Sequence, residues 1–193
     1  MQEPLMRAMQ VRENLEGLAA LGEEVDASIR AKLGSQRVEL IETATRSKWL
    51  PLQIDIELSR LVDEAVGRAA FIRWSQAAIM ASADSPLLSG FLRAGLRLLG
   101  GNPGSLIRLA QRGYPQLLRN AGSLRVDPLR DDAVRVVGID LPQMMLDQPL
   151  YLEGIGASIA VLPHFVRHVG EATLEVEGAA VSWVIRWKAR EAE

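Results

Sequence analysis

The sequence predicts an α+β fold, a helical first half packed on an antiparallel sheet. Over residues 5–121 apolar side chains recur at the spacing of amphipathic helices. Over residues 122–188 two pairs of segments alternate apolar and polar side chains, and each pair surrounds turn-forming residues. The chain has 193 residues, of which 48% are hydrophobic and 24% charged, enough for one domain with its own core. We therefore expect a single domain over residues 1–193, with a four-stranded sheet made of two hairpins joined through a helix.

The first helices are separated by glycines. Residues 5–33 place apolar side chains at helical spacing, and Gly22 and Gly34 interrupt the pattern. Two short helices are expected there. The polar segment 37–46 predicts a third helix at the periphery.

A longer helical region is expected after Pro51. Proline disfavours helix at the preceding Leu50, so the helix should begin after it and bury one apolar stripe over residues 58–69. The segment 69–82 is apolar on several sides, which is typical of a central, buried helix.

Two helix starts carry a capping side chain followed by proline, Ser85-Pro86 and Asn102-Pro103. The side-chain oxygen accepts a hydrogen bond from the first turn, and proline at the first helical position loses no intrahelical donor. We expect a helix at each, and Pro115 should bend the second one because it removes a backbone donor.

The two hairpins are expected on either side of one more helix. The first comprises SLRVDPL and AVRVVGID, and the second comprises ATLEVEG and AAVSWVIRWKA with its turn at Gly178. In the last strand Trp183 and Trp187 share one face. Two indoles at this spacing either seal a core face between sheet and helix or stack on a flat ligand.

Three stretches of the sequence resemble a known family: WLPLQIDIELSRLVDEAVG, LRLLGGNPGSLIRLAQRGYPQLLRN and VSWVIRWK. The shared features are an aromatic residue and proline before the mid-chain helix, a helix ending in basic and aromatic residues, and a last strand with an Arg-Trp pair. In this chain they fall on Trp49, Pro51, Arg112, Tyr114, Arg119, Arg186 and Trp187. Over about residues 5–188 the chain resembles a family of uncharacterised proteins expanded in myxobacteria.

That family is similar to a superfamily of ligand-binding domains from nitric-oxide signalling and Golgi transport. The superfamily includes haem–nitric oxide sensors, the 4-vinyl reductase domain and vesicle-tethering subunits that can hold a fatty acyl chain. The resemblance implies a helix-on-sheet fold with an apolar interior able to admit a ligand. However, the chain has no cysteine and lacks the Tyr-x-Ser-x-Arg motif that holds haem propionates in the sensors. Haem is therefore not expected, and no other cofactor is implied.

His164 and His168 are the only two histidines of the chain, four residues apart. On a helix the two imidazoles would share a face, as in a metal site, with Glu153 or Glu171 as further ligands. Arg167 adds a positive charge that opposes a cation, and histidines in the last turn of a helix also interact with its free carbonyls. We expect the second role and no metal site.

The candidate ligand-contacting residues are aromatic. Phe71 and Trp74 in the central helix, with Tyr114 opposite, could line a cavity, and Trp183 and Trp187 could contribute from the sheet. Packing of the core accounts for the same residues without a ligand.

A second candidate surface is the apolar, methionine-rich segment 139–154. Such a loop is either an adaptable lid or partner face, or a crossover that buries its own side chains. Its candidate contact residues are Met144, Met145, Leu146 and Tyr151.

Several classes of function are not expected. The formal net charge of −2 gives no sign of nucleic-acid binding. No apolar run approaches the roughly 20 residues of a membrane span, and the first residues lack the pattern of a signal peptide, so a cytoplasmic location is expected. No Gly-x-Ser-x-Gly motif occurs, and GGNPG lacks the Gly-Lys-Ser/Thr ending of a phosphate loop, so enzyme activity is not expected.

Two functions remain open. The first is a non-enzymatic binding or sensory domain for a small apolar or lipid-like molecule. The second is a homodimeric protein-interaction or scaffolding module with a filled core and no ligand, since members of the superfamily pair through helical faces. An internal apolar cavity would favour the first function, and a close-packed interior the second.

Overall fold

The computed structural model describes residues 2–83 and 102–190. The first range contains β1 (Leu5–Arg7), α1 (Ala8–Glu16), a 3₁₀ helix (Gly17–Leu21), α2 (Glu23–Leu33), α3 (Ser35–Thr43), β2 (Trp49–Pro51), α4 (Leu52–Val66) and α5 (Arg68–Ala83). The second range contains α6 (Pro103–Leu117), β3 (Leu118–Arg119), β4 (Ser123–Arg130), β5 (Ala133–Ile139), α7 (Gln143–Leu146), α8 (Pro149–Ala160), a 3₁₀ helix (Leu162–Val166), β6 (His168–Glu177) and β7 (Ala180–Ala189). The predicted helix after Ser85-Pro86 lies outside the described residues.

The predicted α+β fold is confirmed. The two hairpins, β4–β5 and β6–β7, join into one antiparallel sheet with the order β4-β5-β7-β6. Trp183 on β7 lies opposite Val136 of β5 and Leu174 of β6, so it sits at the centre of the sheet. Helix α8 connects the hairpins and packs on the sheet, as the sequence predicted.

A close approach fixes the position of α8 on the sheet. A Cβ on Gly156 would lie 2.5 Å from Cδ1 of Trp183, so only glycine allows the helix to come this near. The indole Nε1 of Trp183 donates a hydrogen bond to the carbonyl of Leu152, 2.7 Å away. Trp183 is 1% exposed and therefore joins helix and sheet through both packing and a hydrogen bond.

A second, small sheet was not predicted. Its strand order is β2-β1-β3, with Met6 opposite both Leu50 and Leu118. The guanidinium carbon of Arg7 lies 3.7 Å from the ring centroid of Trp49, and that of Arg119 lies 4.6 Å from it. Cation–π attraction thus helps to hold three segments that are distant in sequence.

Helix α4 ends at Val66 because Gly67 adopts a φ of 78°, a conformation that favours glycine. Helix α5 then crosses the domain, with Phe71 and Trp74 buried. The stretch Pro149–Val166 has the length and mean hydropathy of a membrane span, but it combines α8 with a 3₁₀ helix. Since α8 packs against both α5 and the sheet, it has the surroundings of a core helix.

Helix α6 begins as predicted at Asn102, whose Oδ1 accepts a hydrogen bond from the backbone N–H of Ser105. Pro115 lies in the last turn of the helix, which runs on to Leu117. Asn102→Ala is expected to lower the free energy of unfolding by about 1 kcal/mol, because the backbone N–H of Ser105 loses its side-chain acceptor. Denaturant titration would measure this loss. Asn102→Ser keeps a capping oxygen and should restore most of it, whereas equal losses in the two variants would contradict a capping role.

Candidate functional site: a cavity among the helices

An apolar cavity of about 170 Å³ lies among α1, α4, α5, α6 and α8. Close-packed protein interiors leave few voids larger than a water molecule, so this space is unusual for a filled core. It is slightly larger than an engineered apolar cavity of about 150 Å³ that binds benzene or xenon. Its apolar lining includes Phe71, Trp74, Leu109, Tyr114 and Ile155.

The structure brings together some of the predicted pocket residues. Phe71, Trp74 and Tyr114 all line the cavity. Trp183 lies on the other side of α8, against Gly156 and the sheet. Trp187 contacts α6, where a Cβ on Gly104 would lie 3.3 Å from its ring. The two sheet tryptophans are therefore not part of the cavity lining.

The methionine-rich segment is folded onto the core. Met144, Met145 and Leu146 belong to the short helix α7, in which Met145 is completely buried and the other two are partly buried. Tyr151, the fourth residue of this predicted surface, lies on α8 and lines the cavity. These side chains thus have the packing of a crossover between hairpin and helix.

The two histidines do not share a helix, so the predicted helical pair is wrong. His164 belongs to a 3₁₀ helix and His168 begins β6, because Arg167 between them takes a left-handed conformation with a φ of 61°. Nδ1 of His168 lies 2.7 Å from the carbonyl of Val166. Among residues 2–83 and 102–190, no group of three or more histidine, aspartate or glutamate side chains could hold a metal ion.

A buried polar cluster at the wall of the cavity was missed by the sequence analysis. Asp55 of α4 is 2% exposed. Its Oδ1 accepts a hydrogen bond from Nδ2 of Asn14 at 2.7 Å, and its Oδ2 accepts one from the hydroxyl of Tyr151 at 2.8 Å. Nε2 of Gln10 in turn donates to Oδ1 of Asn14 at 3.0 Å. All four side chains line the cavity and give its apolar wall one polar edge.

Burial decides the ionisation of this cluster. Removal of water raises the pKa of Asp55, while the hydrogen bonds from Asn14 and Tyr151 act in the opposite direction and lower it. The pKa of Tyr151 is raised well above its ordinary value, first by burial and then by the charge and hydrogen bond of Asp55. The phenol of Tyr151 therefore keeps its proton and donates a hydrogen bond to Asp55.

Two other polar atoms lie around the cavity. The hydroxyl of Tyr114 donates a hydrogen bond to the carbonyl of Ala121 at 2.8 Å, and burial raises the pKa of this phenol. Nε1 of Trp74 is buried and has no hydrogen-bond partner among the residues described. It lies against the start of the 3₁₀ helix Gly17–Leu21, where a Cβ on Gly17 would lie 3.2 Å from it.

No family model and no curated protein matches the sequence. Solved structures do match. An oxygen-binding H-NOX domain related to soluble guanylate cyclases, in its oxygen complex, is similar with a TM-score of 0.62 and 14% identity, over 97% of this chain and 98% of that chain. The Fe(II) unliganded H-NOX protein from K. algicida is similar with a TM-score of 0.59 and 13% identity, over 97% of this chain and all (100%) of that chain. The described fold is therefore the fold of H-NOX domains.

The expectation that haem is absent needs correction. Similar structures carry descriptions that concern haem redox potential and haem distortion in the H-NOX family, so haem is a plausible ligand of this fold. The described lining supplies none of the usual protein ligands of haem iron in an available form: it contains no histidine or cysteine, and both of its phenols are already hydrogen-bonded. It also contains no arginine or lysine that could pair with a propionate. The similar structures thus favour haem as a ligand, whereas the described lining of the cavity offers no group to hold it. A direct haem titration would show whether this chain binds haem.

Proposed function

We propose that this chain is a small-molecule-sensing domain that holds its ligand in the cavity among α1, α4, α5, α6 and α8. The observation that carries the proposal is the partly open apolar cavity of about 170 Å³, which is lined by side chains of the hydrophobic core. A cavity in this position argues against the filled core of the alternative scaffolding function. Homodimer formation and a cytoplasmic location stay predictions.

The size and lining of the cavity support a small, largely apolar ligand. Typical pockets for drug-sized ligands measure about 300–1,000 Å³, so this cavity suits a molecule nearer to benzene in size. Each buried methylene group would contribute about 0.8 kcal/mol to binding. A long acyl chain or a haem would require the surrounding helices to move apart.

Helix α8 offers a route from the cavity to the rest of the domain. Tyr151, Gly154 and Ser158 of this helix line the cavity. Gly156, between them, contacts Trp183 at the centre of the sheet. A ligand that displaces α8 would therefore also displace the indole in the sheet, and an occupied cavity could be sensed there.

Ala110→Phe is the test of this proposal. Ala110 lines the cavity from α6, so a phenyl ring at this position should fill the space and weaken binding of benzene more than about tenfold. Gln111→Phe is the matched control, because residue 111 is exposed on the same helix. Calorimetric titration with benzene would give both affinities. A wild-type protein that binds no benzene, or two variants that weaken binding equally, would contradict the assignment of the cavity.

Haem is tested in parallel on the same three proteins. Titration with haemin, followed by visible absorption, and comparison of native with denatured mass would detect it. Stoichiometric haem that Ala110→Phe removes and Gln111→Phe retains would identify haem as the ligand of the cavity. Haem that both variants retain equally would place it outside the cavity.

A further inference from the structure

We propose that the cavity selects a small protonated amine with an apolar body, whose ammonium group pairs with Asp55. This inference rests on the proposed function, since it assumes that the cavity is a ligand site. It adds the chemical class of the ligand and the residue that recognises it.

The geometry leaves acceptor capacity on Asp55. Each carboxylate oxygen receives one hydrogen bond, Oδ1 from Asn14 and Oδ2 from Tyr151. An ionised carboxylate offers about four acceptor positions, so about two remain. Because Asp55 lines the cavity, a donor group on a ligand can reach the carboxylate there.

When Asp55 is ionised, its charge has no compensating cation among the described residues. None of the ion pairs formed between described residues includes it. No lysine, arginine or histidine belongs to the described lining of the cavity. A buried carboxylate without a cation is costly, and hydrogen bonds from a neutral amide and a neutral phenol offset only part of that cost.

An ammonium group supplies what this site lacks. It carries one positive charge and three donors, and its apolar body would occupy the remaining space. A ligand with a carboxylate would instead place a second negative charge beside Asp55, so the site disfavours fatty acids with their head group at this wall.

A bound ammonium group would act on the pKa of Asp55 in the direction opposite to burial. Burial raises the pKa of Asp55, and a bound cation would favour the ionised form. The groups that face the carboxyl are Asn14 from α1 and Tyr151 from α8, and Tyr151 in turn interacts with Tyr114 from α6. Each of these groups is neutral at pH 7, since burial raises the pKa values of both phenols.

The test compares benzylamine with ethylbenzene, which has the same shape and no charge. Calorimetric titration of the full chain at pH 7 should show that Asp55→Asn weakens benzylamine binding by about 10- to 100-fold, the usual worth of a hydrogen bond to a charged group. Ethylbenzene binding should stay within about twofold of wild type. Glu64→Gln, which removes an exposed carboxylate from the same helix and lies outside the described lining of the cavity, should leave both affinities unchanged.

The outcomes separate this inference from the proposed function. Ethylbenzene binding without benzylamine binding, or benzylamine binding that Asp55→Asn does not weaken, would overturn the amine assignment and leave the cavity a ligand site. Failure of both probes to bind wild-type protein would overturn the two proposals together. If Asp55→Asn does not fold, the inference is tested on the wild-type protein by comparing two ligands. Benzylamine should bind at least about tenfold tighter than phenylacetate, and equal affinities would refute the inference.

Discussion

Replacement of Trp183 by alanine is expected to lower the free energy of unfolding by about 3–5 kcal/mol. This indole is 1% exposed and lies at the centre of the four-stranded sheet, opposite residues of β5 and β6. Its removal would leave a void beneath α8 and would also leave the carbonyl of Leu152 without its donor. Chemical denaturation of the two proteins would measure the loss.

Trp187→Ala is the matched control for this substitution. It removes the same side chain from the same face of the same strand, at a position that is only partly buried. A clearly smaller loss is expected there. A loss of less than about 1 kcal/mol at Trp183 would show that α8 does not depend on this contact.

The second large effect concerns pH. The stability of the wild-type protein relative to Asp55→Asn is expected to fall as pH rises from about 4, the ordinary range of an aspartate pKa. Burial raises the pKa of Asp55 in the folded protein, so folding favours the protonated carboxyl. The contribution of Asp55 is therefore complete below the unfolded-state pKa and is lost as pH rises to the folded-state pKa.

Within that window the difference between the two proteins should change by about 1.4 kcal/mol per pH unit, and above the folded-state pKa it should become constant. Denaturant titrations at a series of pH values would trace the curve. Ser59→Ala removes no titratable group from α4, so its free energy of unfolding should change with pH in the same way as that of the wild-type protein. A difference that moves in the opposite direction would mean that the hydrogen bonds from Asn14 and Tyr151 outweigh burial.

The sequence predicted those helices and strands in which apolar residues recur at a regular spacing. Helices α2 to α6 and the two hairpins each repeat their apolar residues often enough for the spacing to identify them. Strands β1, β2 and β3 are only two or three residues long, too short to show alternation, and their partners lie far along the chain. The conformation of Arg167, which separates the two histidines, has no comparable signal in the sequence.

The candidate site was predictable only in its apolar part. Phe71, Trp74 and Tyr114 stood out as large aromatic residues in apolar helices, and they do line the cavity. Asp55 and Asn14 were not among the predicted site residues, because the periodicity of a single helix does not show which helix faces meet in the folded domain. One signal was available: Asp55 is flanked by Ile54 and Ile56 in a stretch where an acid is out of place. The cavity itself is a space that five helices leave unfilled when they pack together, so the sequence of any one helix does not predict it.

The small sheet has a consequence for the order of folding. Its central strand β1 must meet β3, and Asn120 donates a hydrogen bond to the carbonyl of Glu3, 117 residues away in sequence. Contacts of such long range form slowly, because the loop between them must close first. During synthesis β1 can pair with β3 only after residues beyond 119 have left the ribosome. Helix α8, which also lines the cavity, lies beyond β3 in the sequence, so the cavity is completed late, and a ligand that binds there would favour the finished fold by mass action.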